Sequence, residues 1–412
     1  MRVTVLALCG LACLQAQQGR TPTFKSTTEL VEVDAIVLDR NGNFVRDLTP
    51  EQVTIYENGK PQQIQQFFMV TRDAATGDAA VPSEYSALAE SGAHRIFVMM
   101  FDEAHLSNDA LMRVKDGAAA FLRDMFAPGD AGGVFLNGGM YRGRLTVDRG
   151  ELLGGIRAVQ PAFENRQAIQ APFRQWPRIN SEVEAMQIAD GSREVVERLG
   201  QKACSDDPSA CQSEGGIGNV ENMIQQKGRL YVRQARMMTD RTLQGLERVA
   251  SGLARIPGRK TVILMTEGFY VEESRSQLQM LAAQAARSGV TIYSIDGRGL
   301  INGMSVNPDV TMMERSRVTS FDTGEDGPTI LTEGTGGLMI RKIDDITHAF
   351  AMIVKDTSTY YIIGYQPTNA TMDGKVRKIE VKTSVPGTRV RARRSYAATK
   401  LPPQQAIWGF TK

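Results

Sequence analysis

The chain has 412 residues, 42% of them apolar and 23% charged, with 48 Lys and Arg against 46 Asp and Glu. That composition is ordinary for a soluble globular protein and excludes a collagen-like, disordered or polytopic membrane chain. A formal net charge of +2 leaves no global field to drive nucleic-acid or membrane-surface binding, and 3 His with 4 Cys leave little material for a zinc site or a His-based catalytic centre.

Read in chain order, Met1–Gln18 places one Arg before an apolar run from Val3 to Leu14, followed by small and polar residues. The run has the length of a signal-peptide core and is too short to span a bilayer. Residues 1–16 are therefore expected to be a signal peptide cut near Ala16, and the protein to be secreted or held in the periplasm or cell envelope. Gly10-Leu11-Ala12-Cys13 weakly resembles a lipobox, with Gly where an aliphatic residue belongs, so lipoprotein anchoring is the lesser alternative. No later stretch is apolar for long enough to cross a membrane, so no transmembrane segment is expected.

Residues 25–72 read as an N-terminal β segment. Val31, Val33, Ala35 and Val37 alternate along a strand, Asp39–Asn43 supply a turn, and Asn58-Gly59 separates two further strands as a hairpin signal. A polar linker, Thr71 to Gly92, leads into residues 94–356, where strands and helices alternate. Arg95–Phe101 and Lys260–Thr266 are continuous apolar runs of the kind buried on both faces of a parallel sheet. Further strands are predicted at Ala131–Leu136, Gly143–Thr146, Val290–Asp296 and Leu338–Arg341, with helices at Asn108–Met125, Asp148–Val159, Asp240–Arg255, Ser274–Arg287 and Asp344–Lys355. The alternation implies an α/β domain with a mostly parallel sheet covered on both faces. Two stretches break the rhythm. Residues 161–239 are polar, helical around Ser181–Ala189 and Val220–Met238, and read as an insertion; Gly297–Gly327 reads mostly as loop. Residues 357–398 return to strands as a C-terminal β segment expected to form one β-rich domain with residues 25–72, and 399–412 are a tail.

Removal of the leader takes Cys9 and Cys13 with it. Cys204 and Cys211 remain in the polar stretch CSDDPSAC and are expected to form a local disulfide, since the spacing is not that of a Cys-x-x-Cys redox pair. Arg377, Lys378, Lys382, Arg389, Arg391, Arg393 and Arg394 are expected on the solvent face and edge of the C-terminal strands, where charge discourages edge pairing.

A strand ending at Asp102, a central strand ending Thr266-Glu267-Gly268, and the repeated strand–helix units together resemble a von Willebrand factor A domain. More narrowly, the chain is similar to bacterial VWFA-related proteins of the Acidobacterial type. The stretches that carry this are LVEVDAIVLDRNGNFVRDLTPEQVTIYENGKPQQI, PGRKTVILMTEG, TGGLMIRKIDDITHAFAMIVKDTSTYYIIGYQPTN, RKIEVKT and VRARRSY. The resemblance covers nearly all of residues 25–398 and implies a Rossmann-like, von Willebrand A-like fold in an exported protein of a family without an assigned function. It also implies a Mg²⁺ or Mn²⁺ site at the carboxyl ends of the strands, built from Asp-x-Ser-x-Ser, a Thr from a second loop and an Asp after the fourth strand.

The implied site is degenerate here. Asp102 is present, but Ala104 and Leu106 stand at the two Ser positions, Ser107 comes one residue too late, and Glu267 replaces the last Asp. Thr239 and Thr242 are the nearest candidates for the Thr, giving Asp102, Glu267 and Thr239 as the candidate metal set, with any binding weak. Without a cation, two adjacent carboxylates would repel and raise at least one pKa, so Asp102→Asn would leave stability equal or higher. His105 is an alternative ligand beside Asp102, although a lone surface His is ordinarily only polar. Asp102-Glu103-Ala104-His105 spells a helicase box but lacks the phosphate loop that such a box works with. No serine-hydrolase elbow or zinc-protease motif occurs. The sequence therefore points to an exported, non-enzymatic protein-interaction module with an adhesion or scaffold role and an unidentified protein partner. A metal-dependent hydrolase and a purely structural envelope component are the alternatives.

Overall fold

The computed structural model describes residues 30–72, 79–80, 95–269, 274–299 and 326–403. The expected signal peptide, most of the Thr71–Gly92 linker, most of the Gly297–Gly327 loop and the last residues of the tail lie outside these.

Four strands come first: β1 (Val31–Leu38), β2 (Val53–Glu57), β3 (Lys60–Gln62) and β4 (Ile64–Arg72). Asn58 and Gly59 both take positive φ, 49° and 78°, which is the geometry a two-residue hairpin between β2 and β3 requires. The short β5 (Ala79–Ala80) follows. The α/β domain then opens with β6 (Ile96–Phe101), α1 (Asn108–Asp124), β7 (Ala131–Leu136), β8 (Gly139–Met140) and α2 (Arg149–Ala158). The insertion holds α3 (Arg166–Gln170), α4 (Glu182–Ala189), α5 (Arg193–Asp206), α6 (Pro208–Ser213) and most of α7 (Ile217–Leu253). The remainder are β9 (Lys260–Thr266), α8 (Arg275–Arg287), β10 (Val290–Asp296), α9 (Asp326–Thr335), β11 (Met339–Ile340), α10 (Ile346–Ser358), β12 (Thr359–Tyr365), β13 (Val376–Thr383), β14 (Arg389–Ala392) and β15 (Ser395–Ala397).

The fold is mixed α/β. Its central sheet runs β11-β10-β9-β6-β7-β8, parallel except for the antiparallel edge pair β7–β8. Numbered within the sheet, this is the doubly wound order 3-2-1-4-5-6, with the reversal between β6 and β9. Alternation along each strand feeds two cores. Phe97, Met99, Phe101, Ile263 and Met265 face α1, α2 and α10, while Ile96, Val98, Met100, Val262 and Leu264 face α7, α8 and α9. Ser107 starts α1 by accepting a hydrogen bond from the Ala110 amide. Gly117 lets α10 come close, because a Cβ there would lie 2.4 Å from Ile346 Cγ2.

Two antiparallel sheets make the second layer system. One runs β14-β1-β12-β4-β5 and the other β15-β13-β2-β3, so β1, β2 and β4 each pair with a strand from residues 359–392. Their shared core contains Val33, Ile55, Tyr361, Ile363, Ile379 and Tyr396. Inside it Glu57 accepts hydrogen bonds from the hydroxyls of Tyr365 and Tyr396, each at 2.8 Å, and faces Arg377 Nη1 at 3.4 Å.

Four expectations need correction. The helices predicted at Val220–Met238 and Asp240–Arg255 are one continuous 37-residue helix, α7. Arg236, Met237 and Arg241 lie on its exposed face while Ala235, Met238, Thr239 and Thr242 carry the buried face across the join. CSDDPSAC is not a loop, because Asp207 caps α6 through the Ala210 amide with Pro208 in its first turn; Cys204 and Cys211, on consecutive helices, are disulfide-bonded with Cα atoms 5.0 Å apart. The basic residues of the last strands do not share one solvent face. Arg377 is buried against Glu57, and Arg391, Arg393 and Arg394 reach Asp356, the Ala286 carbonyl and Glu333 of the α/β domain. The short strand predicted at Gly143–Thr146 is reduced to a single bridge, Gly132 to Thr146, with β8 taking the edge.

Candidate functional site

Parallel strands end together, so the residues just after β6 and β9 meet at the carboxyl edge on either side of the reversal in strand order. The register pairs Phe101 with Met265, which brings Asp102 beside Thr266. The Asp102 carboxylate is only 3% exposed and receives three side chains. Thr242 Oγ1 donates to Oδ1 at 2.8 Å, Thr266 Oγ1 donates to Oδ2 at 2.8 Å, and His105 Nδ1 lies 2.9 Å from both oxygens. An imidazole nitrogen set between two carboxylate oxygens carries its proton there. A tight turn brings His105 back, with its amide and that of Leu106 both donating to the Asp102 carbonyl.

This environment decides the charge of Asp102. Burial alone would push its carboxyl up, but the His105 charge, its hydrogen bond and the two Thr hydroxyls outweigh burial and hold the pKa below the usual carboxylate range. The expected mutual repulsion with Glu267 is thus not what governs Asp102. Glu267 has its own partners: Oε1 accepts from Ser107 Oγ at 2.7 Å and Oε2 from the Ser107 amide at 3.2 Å. It caps the N-terminus of α1, where a carboxylate is favoured by the exposed amides and the helix dipole. Glu103 accepts from the Asn137 amide at 2.8 Å, and burial raises its pKa, with the Asp102 charge adding to that rise against the opposing backbone hydrogen bonds.

Of the candidate metal set, Asp102 and Glu267 flank the reversal but face different partners. Thr239 is fully buried one turn before Thr242, and its hydroxyl has no hydrogen-bond partner among the described residues. Thr242 is the hydroxyl that reaches Asp102. Thr266 escaped the sequence reading because only the β6–β9 register assigns it to the site. His105 had a readable signal in its Asp-x-x-His spacing, but a surface setting is the ordinary expectation, whereas here the ring is buried beside Phe269 and Thr242. Ala104 and Leu106 turn outward from the carboxylate into two separate apolar clusters.

The donors do not fit a divalent cation. Mg²⁺ and Mn²⁺ want an octahedron of oxygens, whereas Asp102 has both oxygens engaged by two hydroxyls and an N–H. Among the described residues no group of three or more His, Cys, Asp and Glu side chains could hold a metal ion.

The insertion covers this end of the sheet. The Arg166 amide donates to the Ala104 carbonyl at 2.8 Å, the Ala162 amide to the Glu103 carbonyl at 3.0 Å, and Arg166 Nη1 to the Glu267 carbonyl at 3.2 Å. Arg166 is itself fixed by Glu182, which also accepts from Gln170 and Tyr231. Although burial works against it, the Arg166 charge and these hydrogen bonds hold Glu182 far below the usual range.

No family model matches the chain, and no curated protein matches it. Among solved structures the chain is similar to the conserved hypothetical protein BatB from Bacteroides thetaiotaomicron, at 13% identity and a TM-score of 0.30, covering 64% of this chain and 97% of that one. It is also similar to an aerotolerance-related membrane protein from Bacteroides fragilis NCTC 9343 with multiple mutations to serines, at 14% identity and a TM-score of 0.29, with the same coverage of 64% and 97%. The functional reading therefore rests on the chain's own geometry. Among the described residues no helix is long and apolar enough to cross a membrane.

Proposed function

We propose that this chain is an exported, non-enzymatic protein-interaction module of von Willebrand A type whose metal-ion-dependent site has been replaced by a self-contained polar cluster. One observation carries the reading. At the switch point of a 3-2-1-4-5-6 sheet, Asp102 meets two Thr hydroxyls, and His105 Nδ1 stands against the carboxylate where a cation would otherwise sit. A hydrolase working through a bound metal would need Asp102 and Glu267 to converge on one ion, and their hydrogen bonds lead apart. The covering insertion favours a second reading, a purely structural envelope component.

The test is a pull-down from envelope extract with and without EDTA, beside melting curves with and without Mg²⁺ or Mn²⁺. The expected outcome is the same partner in both lanes and no metal-dependent rise in melting temperature. Release of the partner by EDTA contradicts the metal-free module, and absence of any partner favours the structural component.

A further inference from the structure

Arg259 stands just before β9, at the amino end of the central sheet, and its side chain is only 8% exposed. Of its three nitrogens, Nη2 donates to the Tyr293 hydroxyl at 3.0 Å, while Nε and Nη1 are buried with no acceptor among the described residues. Asp34 lies 3.5 Å from Nε without forming a hydrogen bond, and its charge acts on buried Lys260 and Arg393 as well. The Tyr360 ring, 4.5 Å away, covers a face of the guanidinium. Guanidinium N–H groups point in the plane, so that ring cannot stand in for the missing acceptors.

Arg259 borders a small cavity lined also by Arg72, Arg95, Thr261, Thr357 and Tyr360. Among the described residues no Asp or Glu lines it. Arg72 and Arg95 are 8% and 6% exposed. Arg95 is satisfied by Asp130 and by Ser358 Oγ, Arg72 is engaged as well, and the Thr357 hydroxyl donates to the Ile353 carbonyl. These groups shape the field and the walls, and Arg259 brings the spare donors. The cavity has room for about 20 Å³.

We propose that this cavity is a binding site for a single halide-sized anion, chloride in the first place, held by Arg259 Nη1. Charge excludes a cation, because three guanidiniums line the walls. A water molecule would accept the spare hydrogen bond and leave the buried charge as it is, whereas an anion answers both, and away from bulk solvent that attraction is weakly screened. Size decides the class. One water-sized sphere needs about 10–15 Å³, so the room admits a chloride and turns away sulfate, phosphate and carboxylates. Position gives the consequence. Arg95, Arg259 and Thr261 belong to the α/β domain, while Arg72 and Tyr360 belong to β4 and β12 of the antiparallel sheet, so the ion would tie the two across the seam.

The test uses the full-length protein with chloride or bromide replacing gluconate, which the cavity cannot admit, at constant ionic strength. Either halide should raise the melting temperature saturably, by about 2 °C or more. Crystals grown in bromide should show its anomalous density beside Arg259. Arg259→Lys keeps the charge but removes the Nη1 donor, and should raise the half-saturating chloride concentration about tenfold or more. Equal melting in chloride and gluconate, with no bromide density in the cavity, means that a water fills it and overturns the proposal. A halide response unchanged in Arg259→Lys is a general salt effect and overturns it too. Displacement of the bromide by phosphate would show a site open to oxoanions and contradict the halide assignment. Should Arg259→Lys fail to fold, the bromide density in wild type decides.

Discussion

The two ends of the central sheet bury polar groups in opposite ways. At the carboxyl end, a buried acid accepts hydrogen bonds from two hydroxyls and one imidazole. At the amino end, where the antiparallel sheets abut, cations are buried against acids, carbonyls and aromatic faces. Arg95 forms a two-pronged pair with Asp130 at 2.8 and 2.6 Å, Arg259 lies 4.5 Å over the Tyr360 ring and 3.5 Å from Asp34, and Lys260 Nζ donates to the Ile256 carbonyl at 2.6 Å. Arg287 and Arg393 bridge the same seam through carbonyls. Arg259, Arg287 and Arg393 carry contacts across the seam between the α/β domain and the antiparallel sheets. The tip is one small cluster that a single imidazole N–H completes. Burial of charge is distributed at the seam and concentrated in few side chains at the tip.

That contrast can be broken most severely at the seam. Asp130→Ala leaves the Arg95 guanidinium, only 5% exposed, without its carboxylate. Loss of one partner of a buried pair should cost about 3–5 kcal/mol in urea unfolding. Within the insertion, Cys204→Ser/Cys211→Ser opens a short loop and should cost at most about 2–3 kcal/mol. Free thiols in the protein isolated from the envelope would contradict the pairing. At the tip, Asp102→Asn turns an acceptor pair into an amide whose N–H₂ meets donors, and the expected loss is about 1–3 kcal/mol. A stability equal to or above wild type would restore the repulsion picture that sequence alone suggested.

The pH dependence sharpens the same comparison with opposite signs. Asp102 and Glu182 have folded pKa values below their unfolded ones, so their contribution is complete above about pH 4 and is lost as pH falls through the folded values. Acid should therefore loosen the insertion and the tip first, which hydrogen exchange along α3, α4 and α7 can follow. Lys260 behaves inversely. Burial, reinforced by the Arg393 charge against the attraction of Asp34 and Glu32, pushes its amine down to about 8. The unfolded chain then holds more protons from about pH 8 to 10, so stability of the seam should rise over that interval. Above about pH 10 the trend should reverse, because burial pushes Tyr293 and Tyr360 up to about 12 while unfolded tyrosines ionise. Lys260→Met should flatten the rise.

Much of the α/β core was legible because fully buried strands leave continuous apolar runs: Ile96–Phe101, Lys260–Thr266 and Val290–Asp296 are each buried at every position. Helix α9 was missed, since Thr, Gly and Pro dominate Asp326–Thr335 and its burial against β10 and α8 overrides weak propensity. Of the site, Asp102 and Glu267 were readable as strand-end acids. Their separation was not, because it depends on Ser107 capping α1 and drawing Glu267 away. Thr242 and Thr266 needed helix phase and strand register, neither of which composition reveals.

The central claim is that His105 holds the position of a cation against Asp102. Histidine-labelled protein, read by ¹H–¹⁵N correlation with the His105 signal assigned by its loss in His105→Gln, tests this directly. A protonated, slowly exchanging Nδ1 that Mg²⁺ does not shift and Mn²⁺ does not broaden is the predicted result. A His105 signal shifted by Mg²⁺ or erased by Mn²⁺ at millimolar concentration would mean that a metal occupies the site.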